Sequence, residues 1–166
     1  MRRLLTTLAA FLLVAFSAKA QIVINEIMYN IPGNGEAQEY IELYNAGTMP
    51  VVLNDYAFTE GITYSFPAVG TTPVNIAPGA YYVLAADSAA FAAAFGISPD
   101  VEWTSGGLSN SGEDIVLVDA AGATVDSVDY DDVAPWPAAA DGDGNSLQLC
   151  DPNTDNNLPA SWGTSN

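Results

Sequence analysis

The stretch Gln38-Glu39-Tyr40-Ile41-Glu42-Leu43-Tyr44-Asn45 constrains the fold most, because it is bulky on both faces and carries a carboxylate at its middle. As a β-strand it turns Ile41 and Leu43 to one side and Tyr40, Glu42 and Tyr44 to the other. A strand of this kind belongs in the interior of a sheet whose two faces are both covered. Glu42, set between two tyrosines, is then partly withdrawn from water and needs a partner. The chain offers no cation for the purpose: beyond residue 20 it contains no Lys, Arg or His.

The flanking segments repeat the same pattern of short β-rich runs closed by turn residues. Gln21 to Tyr29 reads as a first strand interrupted by the polar pair Asn25-Glu26, and the Pro-Gly and Asn-Gly pairs of 31–36 make a loop that permits a hairpin with the central strand. Val51-Val52-Leu53, Tyr56-Ala57-Phe58 and Ile62 to Phe66 are further short strands. Pro78-Gly79 suits a type II turn before Ala80 to Ala85, an almost wholly apolar strand. Asp87 or Ser88 can cap one helix over Ala89 to Phe95, with Gly96 as its stop. After the brief strand Val101-Glu102-Trp103, Asp114 to Asp119, Ala120-Ala121-Gly122 and Thr124 to Tyr130 form the clearest hairpin. Many short strands and a single helix predict an all-β fold, an antiparallel β-sandwich or barrel.

The first twenty residues stand apart. Met1-Arg2-Arg3 is a cationic start, Leu4 to Phe16 an apolar run, and Ala18-Lys19-Ala20 a small-x-small cleavage site, the layout of a secretory signal peptide. The apolar run is shorter than the roughly 20 residues that a membrane span needs, so no membrane insertion is expected after cleavage. The domain organisation expected is a signal peptide over 1–20, a sandwich over 21–150 and a C-terminal segment over 151–166 that is partly packed or flexible. Cleavage removes the three basic residues and takes the formal charge from −17 to −20. Nucleic acid and anionic membrane surfaces are thereby excluded as partners, since both are held through Lys and Arg. The one cysteine, Cys150, is expected to be buried at a strand end.

Several of these runs resemble the lamin tail domain, an immunoglobulin-like β-sandwich that also occurs in secreted bacterial proteins. Ile24-Asn25-Glu26-Ile27 is similar to its opening strand and Glu39 to Asn45 to its most recognisable one. Tyr64 to Pro67, Ile76 to Gly79 and Tyr82 to Ala85 resemble its middle section, and Leu108 to Leu117 its hairpin. Trp136-Pro137 and Asp141 to Leu149 resemble the closing segment of the bacterial branch. The resemblance implies an immunoglobulin-like antiparallel sandwich with one short helix, and a binding or targeting role with no catalytic residues to carry over.

The residue inventory limits the chemistry further. Without His, and with one Cys, neither a His-based triad nor a His- or thiolate-bound zinc centre can be built. Glu26 and Glu42 become neighbours if their strands pair; a carboxylate pair can hydrolyse glycosides, but structural carboxylates accepting hydrogen bonds are the expectation. Calcium is the cofactor that an excess of oxygen donors would suit. Two candidate sets are Asp141, Asp143 and Asn145, whose alternation resembles the start of an EF-hand loop but lacks its later Gly and Glu, and Asp126, Asp129, Asp131 and Asp132. Trp103, Trp136 and Trp162 are expected in the core; an exposed one could stack on a sugar. The expectation is a secreted, non-enzymatic module for adhesion or targeting at the cell exterior, with a protein or surface glycan as partner, and calcium-dependent surface assembly as the alternative.

Overall fold

The computed structural model describes residues 21–33 and 35–165. The leader-like segment expected over 1–20 lies outside them. Two sheets face each other. The larger has six strands in the order β13 (Trp162–Thr164), β12 (Leu147–Leu149), β1 (Ile22–Met28), β2 (Tyr40–Asn45), β7 (Tyr81–Ala85) and β8 (Val101–Glu102). The smaller has five, in the order β11 (Thr124–Tyr130), β10 (Glu113–Val118), β4 (Ala57–Glu60), β5 (Ile62–Ser65) and β9 (Ser105–Gly106). A short ribbon of β3 (Val51–Val52) and β6 (Asn75–Ile76) accompanies them.

The central strand lies where its two-faced composition requires, between β1 and β7 in the interior of the larger sheet. Its inner row meets Ile24, Ile27 and Leu84 of the neighbouring strands, and Phe58, Ile115, Leu117 and Val128 come from the smaller sheet; all are buried in one core. Trp103, Trp136 and Trp162 belong to that core, as expected.

The polar pair that interrupts the first strand is a β-bulge: Ile24 pairs with Leu43 and Glu26 with Glu42, leaving Asn25 as the extra residue. Without that insertion the period of two would carry either Ile24 or Ile27 to the outer face.

The helix α1 (Ser88–Phe95) forms as its caps dictate. Asp87 Oδ1 accepts from Ala89 N and Ala90 N at 2.9 and 2.8 Å, and Gly96, at φ 74°, ends the helix in the left-handed conformation. Phe91 anchors it edge-on to Tyr40, 5.3 Å between ring centroids. One strand pair is parallel: β8 runs alongside β7 in the same direction, because α1 supplies the crossover that two consecutive parallel strands need. Cys150 corrects the expectation of burial. It directly follows β12 and is exposed, since inward-facing Leu147 and Leu149 take the core positions of that strand.

Candidate functional site

The outer face of the larger sheet concentrates the unusual chemistry. Glu26 and Glu42 are direct cross-strand partners on β1 and β2, so two like charges stand about 5 Å apart at the backbone. Both are half-buried, and every donor they receive is neutral. Tyr40 Oη and Ser146 Oγ donate to Glu26 Oε1, each at 2.5 Å, while Asn25 Nδ2 donates to Glu42 Oε1 at 2.8 Å. Burial pushes the Glu42 carboxyl above its usual range, the Asn25 amide opposes this, and the charge of Glu26 adds to it. The partner Glu42 requires is thus the side chain of the bulge residue.

Aromatic groups frame this pair. Tyr44 shares the outer row of β2 with Glu42, and Tyr81 lies opposite Tyr44 on β7 with ring centroids 4.9 Å apart. Tyr81 is 56% exposed. At the other end Tyr40 meets Phe91 and Phe95 of α1, and Phe95 is itself exposed. The result is an acidic strip with tyrosine at one end and a tyrosine–phenylalanine cluster at the other.

A second group of carboxylates is structural and lies at the ends of the sandwich. Glu39 shares the inward row with Ile41, Leu43 and Asn45, and only 2% of it is exposed. Its Oε2 accepts from Leu108 N at 2.8 Å, tying the loop after β9 to the entry of β2. Burial pushes its carboxyl up to about 7, against the opposing pull of that N–H. Nearby, Glu113 Oε1 accepts from Ser109 N at 2.6 Å, and Tyr130 Oη lies within hydrogen-bonding distance of both Ser109 O and Glu113 Oε1. At the opposite end of the row Asn45, fully buried, donates to Met49 O and Ile76 O and accepts from Gly47 N. Sequence reasoning passed over Glu39 and Glu113. The signal for Glu39 was present, since its parity with Ile41 and Leu43 turns it inward.

The structure divides the set Asp126, Asp129, Asp131 and Asp132 between the two faces of β11 and the loop after it, and places Asp141, Asp143 and Asn145 in a glycine-bent turn. Asp126 shares the inward row of β11 with Val128 and Tyr130, whereas Asp129 points outward. Asp126 Oδ2 is committed to the fold: it accepts from Ile24 N at the bulge (2.6 Å) and from Asn156 Nδ2 (2.7 Å). Burial raises its carboxyl to about 6. Asp131 and Asp132 follow the strand, and Asp131 Oδ1 caps Val133 N. In the other set Asp141 Oδ1 accepts from Asn30 Nδ2 at 2.7 Å, and left-handed Gly142 and Gly144 bend the segment as a turn. Among the described residues no three acidic or thiol side chains converge as a metal would require.

With this geometry in place, comparison with protein families is decisive: the model of the Lamin Tail Domain matches residues 15–132. The chain belongs to the lamin tail domain family. The match takes in both carboxylates of the outer face and every strand through β11; β12 and β13 lie beyond it and complete the larger sheet. A search of curated proteins finds no match. Lamin tail domains are immunoglobulin-like modules, generally non-catalytic, with binding and structural roles.

Proposed function

We propose that this lamin tail domain is a secreted, non-enzymatic binding module that works at the cell exterior and docks its partner on the outer face of the six-stranded sheet. Export is supported by the leader-like composition of residues 1–20. No helix among the described residues is long and apolar enough to cross a membrane. The observation that carries the choice of surface is the pairing of Glu26 with Glu42 on a half-exposed face framed by Tyr44, Tyr81 and Phe95. A like-charged cross-strand pair weakens a sheet, and large rings left in water forgo burial, so the face is poorly arranged for stability alone.

The test is a photo-crosslinking residue at Tyr81 and, separately, at Thr59, which is exposed on the smaller sheet. After incubation with intact cells and shed surface material, adducts specific to position 81 are the expected result. Equal labelling from both positions, or labelling from 59 only, would remove the outer face from consideration.

A further inference from the structure

Resting on that choice of surface, we infer that the partner is a basic protein segment that lays an arginine across Glu26 and Glu42. The two carboxylates sit side by side in the ladder, and the hydrogen bonds holding them all fall on Oε1. A planar guanidinium has five donors in a fixed fork and can bridge adjacent carboxylates, which the single ammonium point of a lysine does less well. The tilted Tyr44–Tyr81 pair, with Tyr81 more than half exposed, supplies a ring face beside the strip on which a guanidinium can stack.

Charge complementarity narrows the partner to a cationic one. The three basic residues of the sequence all lie at positions 2, 3 and 19, outside the described residues, while twenty acids spread through the rest. The fold therefore has no internal cation for its paired carboxylates, and neutral donors from Asn25, Tyr40 and Ser146 take that role. Those donors fix the carboxylates in position without neutralising them. An incoming arginine meets two oriented acceptors that need little rearrangement, the condition under which a charged hydrogen bond adds most to affinity.

The experiment titrates a labelled Ser-Gly-Arg-Gly-Arg-Gly-Ser peptide, with its lysine and citrulline counterparts, into the protein. The arginine peptide should bind, the lysine peptide roughly fivefold more weakly, and the uncharged citrulline peptide not at all up to about 1 mM. The double variant Glu26→Gln, Glu42→Gln keeps an acceptor for each hydrogen bond and should weaken binding at least about tenfold; Tyr81→Ala should weaken it about threefold. The control is Asp114→Asn with Asp129→Asn, an exposed cross-strand acidic pair on the other sheet, which removes the same charge and should leave binding within about twofold. Circular dichroism confirms that each variant is folded. Loss of affinity in the control equal to that in the Glu26/Glu42 variant would reduce the effect to overall charge and overturn the inference, as would equal binding of the lysine peptide or no binding by the arginine one. If the peptide fails while crosslinks from Tyr81 persist, the arginine inference falls and the docking face stands; if both fail, both fall.

Discussion

Glu39→Gln isolates the electrostatic cost of burying a carboxylate in this sandwich. The native carboxyl is held near 7 by burial, against 4.5 in an exposed chain. Between those values the folded protein holds a proton that the unfolded chain has released, so stability is full below about pH 4.5 and falls as pH rises through 7. The displacement corresponds to roughly 3 kcal/mol at alkaline pH, of which about 2 kcal/mol is lost between about pH 5 and pH 8. Glutamine keeps an oxygen for Leu108 N, which the carboxylate accepts at 2.8 Å, and does not titrate. Any fixed cost of its amide is the same at every pH and drops out of a comparison of slopes. Thermal unfolding of both proteins between about pH 5 and pH 8, at about 0.15 M salt to screen general repulsion, is the assay. The native protein should lose about 2 kcal/mol more than the variant over that range, some 6–9 °C in relative melting temperature for a domain of this size. Parallel pH profiles would show that Glu39 titrates normally in the folded state, and the reasoning from burial would be wrong.

The remaining expectations are read by unfolding as well. Asn45→Ala leaves the carbonyls of Met49 and Ile76 and the N–H of Gly47 without their shared partner, and should cost about 2–4 kcal/mol in urea unfolding. Asp126→Ala strips Ile24 N and the Asn156 amide of their acceptor and should cost about 2–3 kcal/mol, with Asp126→Asn recovering part of it; hydrogen exchange at Ile24 should rise in the alanine variant. Calcium at millimolar concentration should shift the melting temperature by less than about 1 °C, because Asp126 is committed to the fold and faces away from Asp129; a shift of several degrees would refute that reasoning and return both candidate sets to consideration.

The fold was legible where a residue's role depended on local rules. Alternation placed the central strand in the sheet interior, and Asp87 and Gly96 marked both ends of α1. The Asn25-Glu26 interruption was visible as polarity, but its meaning as a bulge depended on the partner strand, because only cross-strand register shows which residue is extra. For the same reason the acid-rich stretch from Asp126 to Asp132 read as a cluster: spacing along the chain cannot show that Asp126 reaches across to the backbone of β1 while Asp129 faces water. Tyr81 was legible as a strand residue and not as part of a surface, since its neighbour Tyr44 lies on a different strand.

The carboxylates of this protein divide by the number and kind of bonds they hold. Asp126 and Glu39 accept from backbone N–H groups of distant segments, and each fastens one part of the sandwich to another, while Glu113 accepts from Ser109 N four residues before it. At Asp126 and Glu39 those bonds favour the ionised form and burial opposes them more strongly. Glu26 and Glu42 are held instead by side-chain donors, Asn25 and Tyr40 on the paired strands and Ser146 just ahead of β12, which orient the carboxylates. Replacing such a pair with glutamine should relieve repulsion and leave the fold as stable or more so, whereas the same change at a fastening carboxylate alters how its loop is held. A pair whose removal helps the fold and harms binding has its role outside the fold, and that opposition of signs, measured on one Glu26→Gln, Glu42→Gln protein, separates a recognition surface from an accident of sequence.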